Sequence, residues 1–248
     1  MSSKKLVFQS SLTFLFVICF AGYNSAKAGG PASATTGGAT VRGVVKFEGT
    51  APKPKLISMA ADPSCSKQHP GVVYSQEVMT DTKSDLQNVI VFVSEGLGDR
   101  IFEAPSQPAV IEQKGCLYEP HVLAVRANQP LQVVNEDPTS HNIHPTPANN
   151  REWNKAEPPG SSLQDSFARE EIAIPVRCNV HPWMRGYIAV FKHPYFAVTG
   201  KDGSFDLSSL PPGTYTIKAW HEKFGTSAQT VTIGANETKE ISFVFKGV

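Results

Sequence analysis

No convincing amphipathic helical pattern interrupts the succession of short strand patterns between residues 41 and 245, and that succession most constrains what this chain can fold into. Val41, Val45 and Phe47 alternate with Arg42, Lys46 and Glu48, the period of two that sets one face of a strand against a core. The unbroken apolar run Val89 to Val93 predicts a more deeply buried strand. Further strands are expected at Val122 to Arg126, Leu131 to Asn135, Ile172 to Cys178 and Gly186 to Lys192. Asp202-Gly203 and Pro211-Pro212-Gly213 mark turns, Tyr215, Ile217 and Ala219 alternate with Thr216 and Lys218, and Ile241, Phe243 and Phe245 make a last strand. Short strands with turn signals between them predict an all-β chain built of sandwiches.

The first residues bear on compartment. Lys4 and Lys5 precede an apolar stretch from Leu12 to Ala21, and Ala26-Lys27-Ala28 offers small residues around a cleavage point, so residues 1–28 read as a signal peptide. The apolar stretch is shorter than the roughly 20 residues a membrane span requires. The expected location is periplasmic or secreted, in a bacterial envelope. Gly29 to Ala39 reads as a flexible leader of small residues. Removing residues 1–28 takes away Lys4, Lys5 and Lys27 and no acid, so the formal charge falls from +1 to −2. Without a basic stripe, or another long apolar stretch, neither nucleic-acid binding nor a membrane span is expected of the mature chain.

Three cysteines then remain, Cys65, Cys116 and Cys178, an odd number for an exported chain. If Cys178 binds a metal, Cys65 and Cys116 are free to form a disulfide. Alternatively the two, with His69 and His121 close behind them, form a second metal site.

Chemistry concentrates in Cys178-Asn-Val-His181-Pro-Trp-Met184, which places a thiolate, an imidazole and a thioether within one short loop after a β-branched strand. Soft sulfur donors with imidazole suit copper, and two His, one Cys and a weak axial Met form the blue-copper set. Asn135-Glu-Asp-Pro-Thr-Ser-His141-Asn-Ile-His144 offers the second imidazole at the end of an apolar strand.

The spacing Cys-x-x-His-Pro-x-Met resembles the ligand loop of the cupredoxins and is most similar to that of amicyanin. Tyr118, Pro120, Leu123, Val125, Leu131 and Asn135, followed by His141-Asn142, are similar to the strand pair that delivers the first His ligand there. The resemblance covers residues 108 to 193. It implies one mononuclear blue-copper ion bound by His141, Cys178 and His181 with Met184 axial, and Asn142 bracing the loop. His141 is favoured over His144 because the Asn-x-Asp before it and the Asn after it match the family. Pro182 and Trp183 are expected to flank an exposed edge of His181, where electrons enter and leave in this family. The loop has a single Cys, the chain has no His-x-His pair, and no Cys-x-x-Cys-His marks covalent haem.

Thr199 to Phe205 and Leu210 to Thr216 resemble the carboxypeptidase regulatory-like, prealbumin-type (transthyretin-type) sandwich. That family opens with strands like Val41 to Phe47 and Asn88 to Val93. The expected architecture is therefore a Greek-key cupredoxin sandwich, residues 105–193, inserted in or adjacent to a second sandwich made of 40–104 and 194–248. Trp220-His221-Glu222 reads as a domain-interface contact, and Pro145 to Glu170 as a solvated polar loop with a short hairpin. The expected function is one-electron transfer, not enzymatic catalysis, with a redox protein such as a c-type cytochrome or a dehydrogenase as partner. Copper storage or delivery is the alternative, and an envelope scaffold with a structural metal, such as zinc, is a third reading.

Overall fold

The computed structural model describes residues 38–247; the expected signal peptide and nearly all of the leader fall outside the described residues. Strands appear in the order β1 (Ala39–Glu48), β2 (Leu56–Ile57), a helical turn α1 (Pro63–Ser66), β3 (Val73–Tyr74), β4 (Ile90–Glu95), β5 (Ala109–Lys114), β6 (Leu117–Glu119), β7 (Val122–Arg126), β8 (Leu131–Asn135) and β9 (His141–Pro145). They continue with β10 (Lys155–Glu157), β11 (Ser162–Asp165), β12 (Glu171–Arg177), β13 (Arg185–Phe191), β14 (Phe196–Val198), β15 (Ser204–Leu210), β16 (Gly213–His221), β17 (Gly225–Ile233) and β18 (Thr238–Lys246).

The strands form two sandwiches, and the protein is all-β. One sandwich faces the sheet β15-β1-β18 with the sheet β14-β4-β16-β17. Its core holds Val41, Val45, Phe47, Val91, Val93, Ile217, Ala219, Phe243 and their neighbours. The other faces β10-β9-β12-β13-β7 with β11-β8-β5-β6 around Ile111, Tyr118, Val133, Ile143, Ile174 and Ile188. β1 runs parallel to β18 from Thr40↔Thr238 to Glu48↔Lys246, and β4 lies antiparallel to β16. The first sandwich thus takes strands from before and after the second.

Burial explains why Val89 to Val93 is continuously apolar. Val89, Val91 and Val93 enter the first core, while Ile90 and Phe92 point from the opposite face into a third cluster with Val122, Ala189 and Phe191. β13 has the same double burial: Ile188 and Val190 face the second core, Ala189 and Phe191 the third cluster. This seam carries Phe92 against Phe191 at 5.1 Å, Tyr187 against Trp220 at 5.2 Å, and His121 Nε2 at 2.5 Å from Glu222 Oε1. Trp220 and Glu222 are thus contacts between the sandwiches.

Two segments depart from the sequence expectation. Within 40–104 only β1 and β4 join the first sandwich sheets; Met59 and Cys65 pack into the second core, with Ile57 and Val73 against it. The reason is covalent: Cys65 and Cys116 form a disulfide, Cα atoms 5.6 Å apart, that ties α1 to the turn between β5 and β6. The other is Pro145 to Glu170. It is no simple solvated loop, because β10 pairs with β9 and β11 with β8, extending both sheets and burying Trp153, Glu157 and Phe167.

Removing the bridge with Cys65→Ala and Cys116→Ala together is expected to lower stability by at most about 4 kcal/mol, given the length of loop it closes. Urea unfolding of the metal-free protein measures that loss.

His221 is fully buried; its Nδ1 accepts from the Lys223 N–H, its ring stacks on Phe224 at 4.7 Å, and its Nε2 has no partner among the described residues. Burial, followed by the field of His121, pushes its pKa down to about 4. Between pH 6.5 and 4 the unfolded chain takes up a proton that the folded chain refuses, so His221 costs stability as pH falls through that window. Its full effect is about 3 kcal/mol. His221→Phe is expected to lessen the fall in urea-unfolding stability of the metal-free protein between pH 6.5 and 4, leaving the part due to His193, which burial also pushes down to about 4, and to cost about 1 kcal/mol at pH 7 for the lost bond.

Candidate metal centre

The register of β12 against β13 brings Arg177 opposite Arg185, so residues 178–184 form the loop that joins the two strands. Three bonds shape it. The Cys178 N–H donates to the Met184 carbonyl at 3.1 Å, the Met184 N–H to the His181 carbonyl at 2.9 Å, and the His181 N–H points at Cys178 Sγ at 3.4 Å. Directly after the loop, a Cβ on Gly186 would stand 2.7 Å from the His121 carbonyl, so only glycine lets β13 approach β7 there. β9 lies beside β12 and brings His141 to the loop.

His141, Cys178 and His181 offer one donor atom each within a 4.8 Å cluster. The imidazoles face each other through Nδ1, 2.9 Å apart, and Cys178 Sγ is 3.8 Å from His181 Nδ1. Met184 is fully buried in the same core as Cys178. Asn142 Oδ1 accepts from the Asn179 N–H at 2.7 Å and stands 3.3 Å from Cys178 Sγ, which braces the loop as expected. His144 takes the other face of β9, where its Nε2 donates to Glu152 at 2.7 Å.

Two carboxylates orient the imidazoles. A carboxylate only accepts, so His141 Nε2 donates to Asp137 Oδ2 at 2.8 Å and His181 Nε2 to Asp62 Oδ2 at 3.0 Å. Each ring then turns its Nδ1 toward the other across 2.9 Å. Two imidazole nitrogens held face to face beside a thiolate, with a thioether in the same loop, form a donor set that fits copper.

The electrostatics agree. Burial pushes the Cys178 thiol up, but the His141 hydrogen bond and those from loop amides outweigh it and hold the thiol down at about 7. Burial pushes His141 down, whereas Asp137 and the Cys178 sulfur raise it to about 9. The His181 hydrogen bond, with the Ser64 amide, lowers Asp62 to about 2. Asp137 also takes the Gly115 and Cys116 N–H groups at 2.7 Å each, which together with His141 keep it below its usual range despite burial. Burial raises Glu157, across from His141 on β10 and bonded to Gln113, to about 7.

Two sequence expectations require correction. The edge of His181 is not exposed: the residue is 2% accessible, with Asp62 on its Nε2 and Cys65 Sγ 3.7 Å away. A second metal site at Cys65, Cys116, His69 and His121 does not form, because the cysteines are bonded to each other, His69 Nε2 bonds the Gly115 carbonyl, and His121 pairs with Glu222. Asp137 had a signal in the sequence, the Asn-x-Asp before His141. Asp62 had none, since nothing in its own segment points to a residue 119 positions later.

Should the centre hold copper, Asp137→Asn is expected to weaken its binding by about 10- to 100-fold through the misoriented imidazole, read by competition with a chelator of known affinity.

Comparison with known proteins bears on both sandwiches. Residues 188–246 match the carboxypeptidase regulatory-like domain; β1 and β4, which pair with strands of that range, lie outside it. Rhamnogalacturonate lyase A of Emericella nidulans is 42% identical over 50 residues, 19% of this chain and 10% of that protein. Among solved structures, a Cu-containing nitrite reductase from Thermus scotoductus is 20% identical over 39% of this chain, with a TM-score of 0.33. A purple cupredoxin from Nitrosopumilus maritimus is 22% identical over 33% of this chain and 98% of its own, with a TM-score of 0.29. A reduced amicyanin variant is 19% identical over 40% of this chain and 97% of its own, with a TM-score of 0.31. This chain spans 10% of the lyase and 25% of the nitrite reductase.

Proposed function

We propose that this chain is an exported mononuclear blue-copper protein that carries single electrons, with His141, Cys178 and His181 as the strong ligands and Met184 as the weak axial one. The observation that carries the reading is the convergence of both Nδ1 atoms and the Cys178 sulfur in one buried cluster. Copper bound there supplies a one-electron couple. The chain's own contribution is to hold the donors still. β12 and β13 fix the loop, Asp137 and Asp62 fix the rings, and a ligand set held this way rearranges little when the charge at its centre changes.

The four ligands are at most 3% accessible, which favours a retained redox centre over storage or delivery, where the metal must exchange. The disulfide and the signal sequence support an oxidising compartment outside the cytoplasm. We read residues 105–193 as the copper module, carried between the two parts of a sandwich at 40–104 and 194–248. The partner in this reading is another redox protein, such as a c-type cytochrome or a dehydrogenase, and the chain itself is not an enzyme.

Adding Cu(II) to the purified mature protein is expected to produce an intense visible thiolate-to-copper band, and Cys178→Ala to abolish it. Colour retained in the variant would overturn the ligand assignment, and a colourless wild-type protein would overturn the copper reading.

A further inference from the structure

His181 closes off one way into the centre. Its Nε2 is taken by Asp62, the Cys65–Cys116 bridge packs against it, and the residue is 2% accessible. A partner docking over this ring meets the α1 segment instead of the imidazole. One other conjugated ring touches a ligand ring among the described residues: the Trp183 indole, 5.0 Å from His181 between centroids and half-buried. Its Nε1 donates to the Cys116 carbonyl at 3.1 Å, which pins the ring to the same turn that holds the disulfide.

The surface around Trp183 has a defined chemistry. Val180 is 58% accessible and Pro182 exposed, so the loop tip is apolar. Arg177 and Arg185 stand directly opposite each other at the base of the loop, both exposed. Like charges in that position cost stability. Neither has a carboxylate partner among the described residues; Arg177 Nε reaches His144 Nδ1 at 3.4 Å and Arg185 Nε the Pro182 carbonyl at 3.1 Å, which leaves guanidinium N–H groups on both for a ligand.

We propose that electrons enter and leave this centre through the Trp183 indole rather than through the His181 edge, and that the partner is a one-electron carrier whose contact face is apolar at its middle and rimmed with carboxylates. This rests on the copper reading. In the outward step one electron leaves the reduced centre and one acceptor is reduced by one electron; no proton moves and no bond forms or breaks.

The test uses the copper-loaded mature protein with hexacyanoferrate(III), a one-electron anionic oxidant, in a stopped-flow instrument. Trp183→Leu is expected to slow oxidation several-fold with the visible band and reduction potential unchanged, and Trp183→Phe, which keeps a ring, to restore much of the rate. Arg177→Glu with Arg185→Glu is expected to slow the anion about tenfold or more at low salt and to accelerate tris(phenanthroline)cobalt(III), a cation. A second readout needs neither copper nor turnover: hexacyanochromate(III), redox-inert and paramagnetic, is expected to broaden the NMR signals of the Trp183 ring and the Val180 amide in the metal-free protein. An intact band with an unchanged rate in Trp183→Leu overturns the port, and broadening confined to other surfaces overturns the docking face. A wild-type protein that shows no band overturns the copper reading, and the port with it.

Discussion

The antiparallel pairing of β12 with β13 around residues 178–184 is the constraint on which the centre depends. A loop of this length between paired strands has little freedom, and here its own backbone spends the remainder: Cys178 and Met184 are bonded to each other, and Met184 to His181. Thiol, imidazole and thioether therefore leave the sheet together at one end of the sandwich. β9, the next strand in the sheet, needs only to present its first residue, His141, for the set to close.

Around that loop runs a closed circuit of contacts. From the disulfide it passes through the Cys116 N–H to Asp137, then to His141, His181 and Asp62, and through the Asp62 carbonyl to the Cys65 N–H at 3.1 Å. Each carboxylate in it does two things at once, accepting an imidazole N–H and backbone amides. Asp137 is buried and Asp62 partly so, and a desolvated carboxylate is tolerable only when satisfied in this way, so the ring orientations and the positions of α1 and the β5–β6 turn are set by the same atoms. The circuit also explains why Asp62 with Cys65 and His181, and Cys116 with Asp137 and His141, lie close enough to resemble metal clusters of their own. Their sulfurs are joined to each other, and their carboxylates hold imidazoles.

Much of this was legible in the residues. The alternation of Val41 to Phe47 lies in β1, that of Tyr215 to Ala219 in β16, and Val89 to Val93 is apolar throughout because it is buried on both faces. The loop from Cys178 to Met184 declared its chemistry because all its donors are local in sequence. What depends on distant pairings was harder to read. The segment from Ile57 to Val73 carries no periodicity that assigns it to one core, and a disulfide across 51 residues, which cysteine arithmetic left open, decides where it packs. The burial of His181 follows from that placement, so a resemblance drawn from the loop alone predicts an exposed edge. Residues 145 to 170 misled for a different reason: polar composition suggested solvent, but β10 and β11 are edge strands whose polar side chains alternate with Glu157 and Leu163 pointing inward.

The first sandwich is more than a neighbour. β13 leaves the loop of residues 178–184 and is buried on both faces, by the second core on one side and by Phe92, Phe196 and their cluster on the other. A strand exposed on one face can shift its register or bow outward at modest cost, whereas one packed between two cores must disturb both. The first sandwich thereby stiffens the strand that anchors Met184 and Trp183, and His121 with Glu222 locks the end of the seam nearest the loop, where His121 Nδ1 also bonds the Arg185 carbonyl at 3.0 Å. β13 is held in this way because it lies in the seam between the two sandwiches, where Ile90 and Phe92 of β4 and Val122 of β7 share its third cluster.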